Sequence, residues 1–336
     1  MLILFISFFL SFSLIYLSMP FFIDRLKSRG QVITDLYKVR KPELPTHGAA
    51  VVVFVVFFVN SLLPVLTRIL KRLELWDYEF NGINEIDIAI LLVISIFGLF
   101  GIFDDLINLG WWSKIFFPVF FSFPLIVVFP LDFLLIPGYD EFELSREIAF
   151  GIEYSDIFKV FVVPVYIMVV SNLINMHSGF NGLQCGLSAI LLFTVITKCI
   201  LDANNSNILI PTTFLGGIVS FWFYNKYPSR IFEGNIGPLV FGACIGTLIV
   251  IKGLFIFGIF ILLPHIVDFV MFMYLKVNGK PFIKFGELRK DGTLKVPNPF
   301  KMKFLLPYYF RLSEKEVVHY LYGITILFCF TGLIIF

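Results

Sequence analysis

Apolar residues in this chain come in long unbroken runs rather than alternating with polar ones. Ten runs lie near residues 2–23, 49–70, 86–103, 115–131, 157–176, 183–201, 208–224, 236–251, 254–275 and 316–336. Each approaches the ~20 residues that carry a helix across a ~30 Å hydrocarbon core. A backbone in lipid must satisfy its own hydrogen bonds, and no barrel-like alternation is present, so the runs predict transmembrane helices. The fourth and eighth are the weakest, being short and carrying Pro124 and Pro238. The expected fold is all-α and polytopic, with about ten transmembrane helices in a single membrane domain over residues 1–336.

Composition agrees: 58% of the 336 residues are hydrophobic and 15% charged, where a soluble domain carries about 25% charge. The first run has no basic residue before it and continues to Ile23, so it is expected to be a retained span rather than a cleaved signal. Cys185, Cys199, Cys244 and Cys329 sit in or beside apolar runs without CxxC spacing, as buried small hydrophobes do.

Charge in the connecting segments orients the bundle. Segment 24–48 carries Arg25, Lys27, Arg29, Lys38, Arg40 and Lys41 against three acids, and segment 276–315 carries ten Lys or Arg against three. Segment 132–156 has seven acids and Arg146 alone. Lysine and arginine favour the cytoplasmic side. Ten spans put 24–48, 104–114, 177–182, 225–235 and 276–315 on that side, in parity with the charge. Within 276–315, Asn278-Gly279, Asp291-Gly292 and Pro297-Asn298-Pro299 predict a small turn-rich cytoplasmic loop.

Four polar clusters fall on the same side. Asp104 and Asp105 end the third run, with Lys114 just beyond. Paired carboxylates at a membrane boundary are costly unless a cation or a proton-transfer task compensates them, although acids also mark span ends without further purpose. Asn172 and Asn175 lie one helical turn apart, followed by Asn181 between Gly179 and Gly182. Amide oxygens can ligate hard metals or read a nucleobase edge; a single Asn would more simply be interhelical packing glue. Tyr227 to Gly237 supplies Arg230 as a phosphate fork, Phe232 as a stacking ring, and Gly234 and Gly237 for close backbone approach to an anion. Taken alone it would be an ordinary turn. The basic loop suits anion capture, with Lys284 its best active-site lysine, while the positive-inside bias explains most of its charge. His265 and Asp268 share a helix face and read as a structural polar pair. The sequon Asn204-Asn205-Ser206 falls on the outer side.

Three of these stretches together resemble the polyprenyl-phosphate N-acetylhexosamine-1-phosphate transferases. The similarity is closest to the eukaryotic and archaeal UDP-N-acetylglucosamine–dolichyl-phosphate branch. GIFDDLINLGWWSK from Gly101 to Lys114 is similar to that branch's acidic motif. NLINMHSGFNGLQCG from Asn172 to Gly186 is similar to its asparagine motif, and YPSRIFEGN from Tyr227 to Asn235 to its nucleotide-binding motif. DLYK at Asp35–Lys38 and the Pro45–Gly48 region also fit its first loop.

The resemblance implies a cytoplasmic catalytic cleft and dependence on Mg²⁺, with Mn²⁺ as an alternative. N-acetylglucosamine-1-phosphate would pass from a UDP-sugar to dolichyl or polyprenyl phosphate with release of UMP, as in the first membrane step of protein N-glycosylation. Asp104 and Asp105 would be the catalytic acids, Lys114 would contact the diphosphate, and Asn175 and Asn235 would ligate the metal. Asn181 and Phe232 would hold uracil, with Arg230 and Lys284 on phosphates. Expected partners are the UDP-sugar, the lipid phosphate and the membrane, not nucleic acid; a homodimer is compatible with this. The expected localisation is multi-pass in a membrane, the cell membrane in a prokaryote. The family's third motif ends in Gly-Asp, whereas this chain has Gly234-Asn235, so one negative charge is missing from the metal site. The His-rich motif of the bacterial branch is absent, which argues against a peptidoglycan-precursor substrate. A transporter or lipid flippase is the rival reading, and its site would lie near mid-bilayer on broken helices.

Overall fold

Over their described residues all ten apolar runs are mainly helical in the structure, a computed structural model that describes residues 1–75, 82–129, 133–134, 142–149, 151–279, 281 and 283–336. Asp132, Asp140 and Glu141 of the acidic segment and Lys280 of the basic loop lie outside the described residues. The helices are α1 (Leu2–Ser28), α2 (Ala49–Arg72), α3 (Glu85–Ile107), α4 (Ser113–Phe120), α5 (Phe123–Val128), α6 (Tyr154–Ile157) and α7 (Val163–Met176). They continue as α8 (Leu183–Leu201), α9 (Leu209–Asn225), α10 (Ile236–Ile251), α11 (Phe255–Ile261), α12 (Leu263–Val277), α13 (Met302–Tyr309) and α14 (Glu314–Ile335). A π turn over Phe158–Val162 joins α6 to α7 as one helix, Tyr154–Met176.

Among the described residues, six helices are long and apolar enough to cross a membrane. They become seven if α11 and α12, bent by 67° at their junction, form one span. The chain is thus a mostly helical integral membrane protein, and the difference from ten has identifiable causes. The run at 115–131 breaks after Phe120 into helices of 8 and 6 residues, and α9 and α10 have only 17 and 16. Pro124 and Pro238 both sit in a first helical turn, where the missing N–H would have had no partner.

α10 is the central pillar, buried from Ile236 to Val250, with α7, α3 and α8 packed around it. Lipid tails are as apolar as these side chains, so close packing rather than the hydrophobic effect must hold the helices together. Gly242 supplies it: a Cβ there would lie 2.5 Å from Ser171 Cα, and Ser171 Oγ donates to Leu239 O at 2.9 Å.

The turn-rich loop folds as expected, into a short hairpin (Glu287–Leu288 with Leu294–Lys295) followed by α13. Asp291 Oδ1 accepts the Thr293 N–H at 3.0 Å and Gly292 takes φ +82°, which closes the turn. A second hairpin pairs β1 (Val32–Thr34) with β2 (Glu43–Pro45) between α1 and α2. Both meet the ends of α3, α7 and α9 and the starts of α8 and α10 at one end of the bundle. Chain termini and the 202–208 turn gather at the other, where Lys198 Nζ donates to Phe336 O at 2.8 Å and Lys252 Nζ to Asn204 Oδ1 at 2.8 Å.

Candidate active site

A cleft of ≈ 390 Å³ opens where these loops converge, lined by the β1–β2 region, the asparagine turn, the 232–235 loop, Asp105 and the capping loop. The acidic pair is divided. Consecutive helical residues point about 100° apart, so the two carboxylates cannot share one direction. Asp104 is buried; it accepts Lys114 Nζ at 2.6 Å, Leu109 N–H at 3.0 Å and Asn235 Nδ2 at 2.9 Å. Asp105 lines the cleft, accepts the Asn235 N–H at 3.0 Å and pairs with His47 Nε2 at 3.1 Å. The first acid therefore binds α3 to α4 and the 235 turn, and the second faces the cavity.

Asn175, Asn181, Phe232, Asn235 and Lys284 also line the cleft. The Asn175 amide makes no hydrogen bond among the described residues. Asn235 spends its Nδ2 on Asp104 and leaves Oδ1 without a described donor. Asn181 is different: its Nδ2 donates to Asp35 Oδ2 at 3.2 Å, its Oδ1 accepts Ser229 N–H at 2.9 Å, and its own N–H goes to Glu314 Oε1 at 2.7 Å. It ties four segments together. Lys114 and its partner Asp104 lie outside the lining, and Arg230 is exposed and also outside it. Asn172 donates to Lys114 O at 3.0 Å, a carbonyl for which Pro118, four residues on, has no N–H, and so takes the packing role.

Several residues at the site were not singled out from sequence. His47 is one. Glu233, on the cleft wall, is pushed up to about 7 by burial and accepts Asn225 Nδ2 at 2.7 Å. Lys303 is pulled down to about 7 by burial and then by Lys301; its Nζ donates to Ser178 O at 2.7 Å, under the asparagine turn. Tyr37 is pushed up to about 12 by burial, and its hydroxyl accepts the Gly286 N–H at 2.9 Å, pinning the cap. His265 packs against His177 with centroids 4.7 Å apart and the rings tilted by 55°, while Asp268 takes Lys301 Nζ at 3.0 Å and Met302 N–H at 2.7 Å. The His265–Asp268 face is thus a structural dock for the cap. Glu314, from the last helix, also pairs with Lys38. No periodic signal marks these residues; burial of charge at helix ends is visible only in three dimensions.

The donor set suits a hard cation carried by a diphosphate. Mg²⁺ is held by one or two carboxylates plus substrate phosphates rather than by an all-protein cage. Asp105 and the open amide oxygens of Asn175 and Asn235 offer that, and among the described residues no group of three His, Cys, Asp or Glu forms a closed metal site.

Comparison with known proteins adds an independent line. Residues 88–253 match the family model of glycosyl transferase family 4. A Sulfolobus acidocaldarius protein, provisionally named a UDP-N-acetylglucosamine–dolichyl-phosphate N-acetylglucosaminephosphotransferase, is 26% identical over 98% of this chain and 95% of its own length. The Saccharomyces cerevisiae protein of that name is 29% identical over 77% of this chain and 65% of its own. A phospho-N-acetylmuramoyl-pentapeptide-transferase of Lactobacillus johnsonii is 28% identical over 83% and 86%.

Proposed function

We propose, from the match of residues 88–253 to glycosyl transferase family 4, that the chain moves N-acetylglucosamine-1-phosphate from UDP-N-acetylglucosamine to a dolichyl or polyprenyl phosphate, releasing UMP. The observation that carries this reading is the convergence of three sequence-distant polar stretches on one ≈ 390 Å³ cleft at a single end of a membrane bundle. A site shared by a water-soluble nucleotide and a lipid headgroup needs that placement. A transporter site would lie at mid-bilayer.

In this reading Phe232 stacks on the base, and Asn181 shapes the wall behind it rather than spending its amide on the ligand. Lys284 on the cap faces the phosphates. Asp105, Asn175 and Asn235 would hold Mg²⁺, which would supply charge neutralisation on the diphosphate. Asp104 and Lys114 fix the end of α3, so that Asp105 and Asn235 keep their spacing. The protein's own contribution is chiefly positioning of the acceptor phosphate in line with the sugar-bearing phosphorus. The basic loops support a cytoplasmic cleft and a ten-span topology in which α4–α5, α9 and α10 cross as short helices.

The test is transfer of radiolabel from UDP-N-acetylglucosamine to an extractable lipid by the purified protein with polyprenyl phosphate and Mg²⁺. Label in the lipid phase that is lost in Asp105→Asn supports the proposal. No transfer from any of a panel of UDP-sugars would end it.

A further inference from the structure

We propose that Gln184 reads the base of the sugar nucleotide, its Oε1 accepting the hydrogen bond of the uracil N3–H. The inference rests on the transfer reading above and deepens it by naming the residue that selects uracil.

Three observations lead to it. The first is that the cleft lacks the reader expected of it. Asn181 is the amide expected at uracil, yet both ends of that amide are spent, Nδ2 on Asp35 and Oδ1 on the Ser229 N–H. Asn175 and Asn235 go to the metal in the reading above. Among the described residues of the lining, Gln184 is the remaining carboxamide.

The second is its orientation. Gln184 lies in the first turn of α8, and its Nε2 donates to Ile174 O at 2.6 Å. Ile174 is in the last turn of α7, where carbonyls lack a partner within the helix, so the amide caps that end. Only the nitrogen of a carboxamide can donate to a carbonyl, so the bond fixes the flip and Oε1 is the free end. No described residue donates to it. Ser188 Oγ, one turn further on, is sealed in the packing without a partner, whereas Gln184 Oε1 is not sealed and opens on the cleft. The side chain is otherwise 2% exposed. A desolvated acceptor left unpaired costs more than an ordinary hydrogen bond returns, so a ligand that fills this wall must bring a donor.

The third is what backs the start of α8. Gly182 takes φ +75°, and a Cβ there would lie 2.8 Å from Lys226 Cα. Cys185 Sγ donates to Ile218 O at 3.4 Å on α9. With the Asn181–Ser229 bond, these contacts seat Gln184 against the stretch that carries Phe232 into the cleft. The ring that stacks on a base and the acceptor that reads its edge therefore stand on adjoining walls.

The chemistry that follows is selection between pyrimidines. Uracil presents N3–H at the middle of its edge; cytosine presents a lone pair there. An acceptor fixed in one flip pairs with the first and repels the second. Cytosine would be served only by turning the amide over, which gives up the bond to Ile174 O and sets two carbonyl oxygens against each other.

The experiment uses the full-length protein and measures inhibition of transfer from labelled UDP-N-acetylglucosamine by UMP, CMP and N3-methyl-UMP. Wild type is compared with Gln184→Met and Gln184→Glu. Both variants lose the amide that caps α7, but Glu keeps an acceptor and Met does not. Wild type and Gln184→Glu should prefer UMP over CMP by about 100-fold or more, because a site built around one hydrogen bond rejects the analogue lacking it. In Gln184→Met, UMP should weaken about 10–100-fold and the preference fall to within about fivefold. Wild type inhibited equally by UMP and N3-methyl-UMP overturns the inference without recourse to any variant. So does a wild-type UMP/CMP preference in folded Gln184→Met, or the same loss of preference in both variants, which would mark a cap alone. A change confined to discrimination between UDP-N-acetylglucosamine and UDP-glucose also overturns it, since Gln184 would then face the acetamide. All of these leave the transfer reading standing; a wild type that transfers from no UDP-sugar ends that reading instead.

Discussion

One methyl group at Gly101 should disable the site from outside the cleft. Gly101 lies on α3 where it crosses the start of α10, and a Cβ there would sit 2.5 Å from Ile236 Cα, 2.8 Å from Ile236 N and 3.1 Å from Asn235 O. Carbon contacts relax only near 3.5–4.0 Å, so the two backbones must part by about 1 Å. Both are main chain, so no side chain can turn aside. Asp104 and Asp105 sit one turn further along α3, and their bonds to Asn235, 2.9 and 3.0 Å long, would stretch toward 4 Å. Overpacking of this kind costs about 1–3 kcal/mol, and a 1 Å misplacement of reacting groups costs roughly 10²-fold in rate. Gly98→Ala is the matched control, one turn earlier on the same face. Its Cβ would meet only side chains, a Val240 methyl at 3.2 Å, which can yield, and Ile236 at an ordinary 3.9 Å, and the helix gains up to about 1 kcal/mol of propensity. The assay is thermal unfolding of the solubilised protein beside lipid-transfer rate. Gly101→Ala with wild-type melting and a rate within threefold would refute the argument that this crossing sets the carboxylate–Asn235 geometry.

Three further outcomes follow from the same contacts. Lys114→Met strands the enclosed Asp104 carboxylate and should cost about 3–5 kcal/mol, much of it recovered in Asp104→Asn/Lys114→Met, as read from equilibrium unfolding of the single and double variants. Glu233→Gln should remove a pH dependence. The native acid is raised from 4.5 to about 7, so its stabilising contribution is full below 4.5 and lost as pH rises through 7. The variant should then match wild type near pH 4.5 and melt higher at pH 8, by a free energy on the order of 2–3 kcal/mol. Asn235→Asp places a third carboxylate within hydrogen-bond distance of Asp104 and loses the Nδ2 donor. Without divalent cation it should melt below wild type, and Mg²⁺ should raise its Tm more than that of wild type, both read by thermal shift.

Much of the fold was legible because lipid leaves so few choices: each apolar run had to be helix, and over its described residues each mainly is. What sequence did not resolve was continuity. The run at 115–131 reads as one segment, yet it divides beyond Phe120, and the run at 254–275 reads as one span, yet it bends by 67° just before Pro264. At the site, the polar stretches could be found because amides, paired acids and glycines are conspicuous among apolar helices. The split between Asp104 and Asp105 was available from helical geometry alone. His47 was not: a single histidine in a short loop carries no periodicity, and its meaning comes from a positive φ and from Asp105 on another helix. Lys303 and Glu314 were hidden for the opposite reason, as members of charge-rich segments where solvent exposure is the ordinary expectation.

The asparagine at position 235 is best understood through the charges it meets. With aspartate there, its carboxylate would lie about 3 Å from that of Asp104, where the Asn235 Nδ2 now sits, an arrangement that stands only with a cation or a proton in place. Here Asn235 donates to Asp104 through Nδ2 and to Asp105 through its N–H, Lys114 pairs with Asp104, and His47 pairs with Asp105. Every acid of the motif has a donor before any ligand arrives. The loop at 232–235 is therefore fixed by protein contacts alone, and the open oxygens of Asn175 and Asn235 remain for a cation that enters with the diphosphate. Such a site would bind free Mg²⁺ weakly and the Mg²⁺–nucleotide complex well. A preassembled cleft also places the demand for charge on the substrate, which carries two phosphates where the protein has given up a carboxylate.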